Sequence, residues 1–353
     1  MTTANGQLAN ASADLPDKAA RRPQIDGLRA LAMLGVLYVH LFDENTMTEG
    51  LRVALFFTVS GFLITHILYS AKERGGQINI LNFYVRRALR LFPALAILVL
   101  VSSIFDIDGF RAEAGWHLLQ LSNVRFAMIE GFTPWVAGHL WSLNILEQFY
   151  LLWPLVILLL PLPGIYVVTL ALIVALSFIR TNGRAMGLDG WSIELLLSGT
   201  PIAFGAFAYL LQRHEPVCPV LRSRWSLAAS VAVIFAPLFL WEGFHLSSSY
   251  RILSMPALGV IVVGAYQGYG GPVGWALGSR LSRYVSQISY AVFMYHLLVW
   301  WALRRVFPSL SERGLQTFLV VTAVTIFVAI ASWFLVEKPV ERLKSRFPTT
   351  SRL

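Results

Sequence analysis

Residues 140–179 read LWSLNILEQFYLLWPLVILLLPLPGIYVVTLALIVALSFI, and Glu147 is the single charged side chain among them. Two runs, 140–160 and 163–179, come close to the roughly 20 apolar residues that cross a bilayer core. The break at Pro161–Gly164 separates two helices or interrupts one broken helix. Outward from this pair, further apolar stretches fall near 28–42, 51–70, 88–105, 191–211, 226–241, 252–268, 284–303 and 316–336. The expected fold is all-α: a polytopic membrane helix bundle of about ten transmembrane helices. The first stretch is short and carries Arg29 and His40, so it is expected inside the bundle rather than facing lipid on all sides.

Composition agrees. Hydrophobic residues make up 56% of the 353 and charged residues 13%, against roughly half and roughly a quarter in soluble domains. A soluble chain of this length has too little interior for that apolar surface. The single cysteine, Cys218, excludes a disulfide framework or a cysteine-based metal cluster. Residues 1–24 are polar and Ala/Asn-rich, with the composition of a disordered segment and no apolar core of a cleavable signal peptide. The domain itself is expected over 25–342, with a tail at 343–353.

The formal charge of +9 is distributed by side. The N-terminus through Arg29, the connections near 71–90, 212–225 and 270–283, and the C-terminal tail together hold 19 of the 28 Lys and Arg. By the positive-inside rule that side is cytoplasmic, so both termini are expected there. The positive charge is thus a topology signal, and a nucleic-acid partner is not expected. The longest outer connection, 106–139, contains two tryptophans and a helical stretch near Glu113–Phe126.

Several polar groups lie within the apolar stretches. The first stretch opens IDGLRALAMLGVLYVHLF, residues 25–42. Asp26 is expected as its N-cap. His40 follows Arg29 by eleven positions, roughly 16 Å along a helix axis. That spacing puts the arginine near the inner surface and the histidine toward the outer half. An interhelical hydrogen-bonding histidine is the plain alternative, but ionisable groups in spans are functional candidates by default. In FFTVSGFLITHIL, 56–68, Ser60 and Gly61 permit close helix approach and Thr65 can bond across helices, as a packing face or a tunnel lining. NFYVRRALRLFPALAIL, 82–98, places Arg86, Arg87 and Arg90 within about a turn, with Asn82 as cap and Pro93 as a kink. Three guanidinium forks at a cytoplasmic mouth suit phosphate groups. Anchoring to anionic membrane lipids is the alternative. Glu147 and Glu194 are intramembrane carboxylates, His139 and Trp141 belong to an interfacial belt, and His296 is a further ionisable group of the ninth stretch.

These segments resemble the bacterial acyltransferase-3 family of ten-helix membrane O-acyltransferases. The likeness runs from Ile25 to Arg342 through DGLRALA, FF-x-x-SGFLIT, FYVRRALRLFPA, WSL followed by EQFYLLWP, SYAVFMYH and FLVEKP, in that order. It implies an enzyme of the bacterial cytoplasmic (inner) membrane. The implied donor is cytoplasmic acyl-CoA, commonly acetyl-CoA. The implied acceptor is a hydroxyl on a surface glycan, a lipid-linked sugar or a secreted small molecule. The family's arginine–ten residues–histidine pattern falls on Arg29 and His40, and its arginine–two residues–arginine pattern on Arg87 and Arg90. The family's glutamate after WSL falls on Leu146, with Glu147 one residue further round the helix.

The expected mechanism follows from these placements. Arg87 and Arg90, assisted by Arg29, hold the CoA nucleotide. His40 either removes the acceptor hydroxyl's proton or takes the acyl group itself, with Glu147 as the second catalytic candidate. No zinc spacing appears and no metal is expected. A proton-coupled secondary transporter also suits ten helices and lone membrane ionisable groups, although no inverted repeat is visible. An inactive scaffold that lost its glutamate at Leu146 is the remaining alternative.

Overall fold

The structure is a computed structural model that describes residues 22–43, 49–74, 77–214, 217–235, 248–348 and 350–351. Most of the 1–24 segment lies outside the described residues. Helix α1 spans Pro23–Leu41, with proline in its first turn where a missing N–H costs nothing. Asp26 is therefore inside the helix, not its cap, and it accepts a hydrogen bond from Ser286 Oγ at 3.2 Å. The next helices are α2 (Glu49–Glu73) and α3 (Ile80–Ile104). The cap of α3 is Asn79, whose side chain accepts from the Asn82 backbone N–H at 2.9 Å, while Asn82 itself donates to the Pro348 carbonyl. Pro93 lies within α3, which continues past it to Ile104.

Two short helices, α4 (Phe110–Leu118) and α5 (Ser122–Met128), occupy the 106–139 connection. An Arg125–Glu113 ion pair and a His117 Nδ1–Ser122 Oγ contact of 2.9 Å join them. Helices α6 (Leu140–Leu159) and α7 (Leu162–Asn182) are separate. The Lys72 ammonium donates to the Ile157 and Leu160 carbonyls, both at 2.6 Å, and so closes the exposed end of α6.

The expected helix at 191–211 is interrupted into α8 (Gly190–Leu196) and α9 (Thr200–Leu211). Then come α10 (Arg224–Phe235) and α11 (Ser248–Gln267). Helix α12 (Gly271–Leu277) turns 84° away from α11. The chain closes with α13 (Arg280–Val306) and α14 (Leu315–Ser332), the latter continuing as helical turns to Arg346. Apart from helices, the described residues form one antiparallel pair of two-residue strands, β1 (Gln77–Ile78) with β2 (Thr350–Ser351).

Six of these units are long and apolar enough to cross a membrane: α2, α3, α6, α7, α8 with α9, and α14 with its continuation. Joining α11 to α12 makes a seventh. The difference from ten has a physical reason. Helices α1 and α13 carry Arg29, His40, Tyr295 and His296, which lower their hydropathy, yet both pack inside the bundle against each other and against neighbours. Helix α10 has 12 residues, and the rest of the stretch expected at 226–241 lies outside the described residues.

The small residues of α2 act as the sequence predicts. Gly61 leaves no room for a Cβ against the Ile202 carbonyl, and Gly205 none against that of Thr58, so α2 and α9 meet backbone to backbone. Trp153 Nε1 donates to Thr65 Oγ1 at 2.8 Å across α6 and α2. Two buried cores result. One surrounds α1's C-terminal half with α13 and α14, and the other surrounds α2, α6 and α9.

Candidate active site

The C-terminal end of α1 brings His40 against His296 of α13. The rings are parallel, with centroids 5.0 Å apart, and His40 Nδ1 lies 2.7 Å from His296 Nε2. The tautomers follow from one further contact. His296 Nδ1 is 2.8 Å from the Phe293 carbonyl, which can only accept, so Nδ1 carries the proton. Its Nε2 is then the acceptor, His40 Nδ1 is the donor, and the lone pair of His40 sits on Nε2. Backbone geometry of α13 therefore fixes which nitrogen of His40 is basic. His139, just before α6, packs edge-on to His296 with centroids 5.0 Å apart and is 3% exposed. It is a buried group rather than the member of an interfacial belt expected from sequence.

His40 and His139 line a cavity of about 760 Å³ together with Trp135, Trp141, Trp191 and Trp300. Charged groups on the same wall are Arg52, Arg180, Arg184, Arg313 and Glu194. Glu194 accepts from Arg180 at 2.9 Å, so this carboxylate is one half of an ion pair in the cavity wall. Arg313 Nε donates to the His40 carbonyl at 3.1 Å, and Gly314 N–H to that of Leu41, which ties down the end of α1. Among the described residues no three His, Cys, Asp or Glu side chains are grouped as a metal ion requires.

The other end of α1 presents a different assembly. Arg87 Nε donates to Glu147 Oε2 at 2.6 Å while Nη2 donates to Oε1, a bidentate pair. The same guanidinium stacks 3.4 Å from the centre of the Tyr150 ring. Glu147 lies eight residues beyond His139 on α6, roughly 12 Å along the axis. It is thus placed with Arg87 and not with His40, and the grouping of His40 with Glu147 as joint catalytic residues is not the one the fold makes. Leu146 is buried at 3% in the apolar core beside α2. Arg29 has Arg90 as its strongest charged neighbour, then Asp26. Arg29 and Arg90 make no hydrogen bond or ion pair among the described residues. Arg86 is committed to the carbonyl of Lys344, at 2.9 Å.

A sequence profile described as an acyltransferase domain matches residues 22–337. The chain belongs to the acyltransferase-3 family. It is 26% identical over 351 residues to the peptidoglycan O-acetyltransferase OatA of Listeria monocytogenes, covering 91% of this chain and 56% of that protein. It is 33% identical over 210 residues to the O-acetyltransferase OatA of Staphylococcus aureus, covering 52% of this chain and 34% of the relative. The chain thus spans about a third to just over half the length of these relatives. No solved structure matches it. With its apolar helices, the family membership makes this an integral membrane protein of that family.

Sequence spacing put Arg29 and His40 at opposite ends of one helix, and they lie there. It gave no sign that His296 would meet His40 or that His139 would flank both. Histidine within an apolar helix was the available signal for His296. His139 precedes its helix and carried none.

Proposed function

We propose that the chain crosses the bacterial cytoplasmic (inner) membrane ten times, with both termini cytoplasmic, and transfers an acyl group from cytoplasmic acyl-CoA to a hydroxyl on the far side. The spans are α1, α2, α3, α6, α7, α8–α9, α10, α11, α13 and α14. Acetyl-CoA is the simplest donor, consistent with the relatives' names. A glycan hydroxyl is the favoured acceptor, because one relative is named for peptidoglycan and four tryptophans line the cavity.

The observation that carries this reading is the His40–His296 hydrogen bond, on the helix whose other end holds Arg29. Arg29 and Arg90 are two neighbouring cations that make no ion pair among the described residues, although Asp26 lies near Arg29 and Glu337 near Arg90, and guanidinium donors left open in this way suit phosphate oxygens. The Arg87–Glu147 pair, stacked on Tyr150, forms the wall of this mouth rather than a mobile ligand. The pantetheine arm then runs toward His40, whose Nε2 takes the acceptor hydroxyl's proton or attacks the thioester carbonyl itself.

The test is thioester turnover by purified protein, read as CoA thiol release from acetyl-CoA with an N-acetylglucosamine oligomer as hydroxyl probe. Wild type should turn over. His40→Ala and His40→Gln should both lose ~10²–10⁴-fold, the usual share of a general base, while still binding acetyl-CoA. Activity of either variant within tenfold of wild type removes His40 from the chemistry. Absent turnover in wild type, with substrate flux in liposomes, assigns a transporter instead.

A further inference from the structure

His139 is an anomaly that the reading above leaves unused. A neutral imidazole has one N–H to donate and one lone pair to fill. Both ring nitrogens of His139 are enclosed and neither has a hydrogen-bond partner. Among the described residues it is the one side chain with two polar atoms so orphaned. Each such atom costs ~1–3 kcal/mol when buried unmet, and native structures leave few without a reason. Its neighbours explain why the fold does not satisfy it. Phe293 meets it edge-on at a 4.8 Å centroid separation, and both nitrogens of His296 are already committed to Phe293 and His40.

His139 and His40 flank His296 and line the same 760 Å³ space. His40 has its lone pair on Nε2, so the base is accounted for, while acyl transfer also needs a donor for the oxygen that gains charge. Two of the charged donors on that wall are engaged: Arg313 holds the His40 carbonyl and Arg180 holds Glu194. His139 has a donor held by nothing else.

Resting on the acyl-transfer reading, we propose that His139 is a catalytic residue whose ring N–H donates to the thioester carbonyl oxygen as that oxygen becomes negative. The acceptor oxygen bonds to the carbonyl carbon as its proton passes to His40 Nε2. The carbonyl electron pair moves onto oxygen, facing the His139 N–H. That pair then returns, the carbon–sulfur bond breaks, and the leaving CoA sulfur takes the proton from His40. The products are the ester and free CoA thiol, with both histidines neutral again. If His40 instead carries the acyl group, the same oxygen develops charge at each of two steps and meets the same donor.

Two variants separate this role from packing. His139→Leu fills the space without a donor, and His139→Gln keeps an N–H. With acetyl-CoA and the glycan oligomer probe, His139→Leu should lose ~10²–10³-fold in kcat, the usual effect of removing one oxyanion donor. Its acetyl-CoA affinity should stay within threefold of wild type. His139→Gln should exceed the leucine variant in kcat by at least tenfold. A leucine variant within fivefold of wild type overturns the proposal. So does a glutamine variant as inactive as the leucine one while both still bind acetyl-CoA. Should His139→Leu fail to bind donor at all, His139→Met takes its place in the same comparison. Wild-type inactivity would overturn the acyl-transfer reading and this inference with it, a result distinct from loss at His139 alone.

Discussion

The two ends of α1 are built on opposite principles. At its C-terminal end every proton in the His40–His296–Phe293 chain has one place to be, because a backbone carbonyl fixes the first tautomer and that fixes the next. At its N-terminal end Arg29 and Arg90 repel each other and lie near Asp26 and Glu337 without forming an ion pair with either, while Glu147 is taken by Arg87. One end is preorganised and satisfied except at the cavity face. The other is left charged. Preorganisation suits chemistry, where a base must point at its target before the substrate arrives. A pair of guanidinium groups held in no ion pair suits binding, where the ligand brings the acceptor oxygens. Sixteen ångströms of helix, roughly, keep the two tasks apart.

The largest effect that would sharpen this contrast lies at the charged end. Arg29→Ala and Arg90→Ala should each weaken acetyl-CoA binding by about ten- to hundredfold, the equivalent of a charge-assisted contact worth ~1.5–3 kcal/mol. The double variant should lose a hundredfold or more, with the residual kcat at saturating donor near wild type. Arg90→Lys should recover only part, since the planar fork is lost. Unchanged affinity in the folded double variant, measured by calorimetry, would reassign these cations to lipid headgroups and dissolve the comparison.

A smaller effect is expected at the neighbouring pair. Glu147 is spoken for by Arg87 and lies more than two turns from His139, so Glu147→Gln should keep turnover within fivefold of wild type. Its cost should appear as stability. A double-mutant cycle over Arg87→Ala and Glu147→Gln should give a coupling of ~1–3 kcal/mol, read by thermal unfolding in detergent. Leu146→Glu would place a carboxylate in an apolar core and should destabilise without raising activity. A Glu147→Gln variant that loses activity as His40→Ala does would show that the charged end takes part in the chemistry after all.

Legibility from sequence divides along the same line. Positions along a helix are fixed by 1.5 Å per residue, so Arg29 and His40 at opposite ends of one helix were readable from spacing alone. So was the glycine face at Gly61, because only a small residue admits a neighbouring backbone. Lateral pairing was not readable. Whether Arg87 or Arg90 would meet Glu147 depends on how α3 and α6 are rotated, and that is set by packing across 60 residues of chain. The same holds for His296, which meets His40 from 256 residues away. The interruption between α8 and α9 was passed over because the apolar runs on both sides of Gly199–Pro201 read as one stretch, whereas the stretch read at 252–268 ends where α11 does. Asp26 and Asn82 were read as caps because both types favour that position. Arg22 ahead of α1, followed by proline in the first turn, and Asn79 ahead of α3 hold that position instead.

In the proposed function one helix joins a donor mouth on one side of the membrane to an acceptor cavity on the other. Sidedness tests it most directly. Sealed liposomes carrying the protein in one known orientation would receive acetyl-CoA on the side of the termini and the N-acetylglucosamine oligomer inside. The account predicts ester formation on the enclosed oligomer, CoA thiol released on the donor side, and neither product when donor and acceptor are exchanged. Equal ester formation with donor and acceptor both supplied on the side of the termini would contradict it.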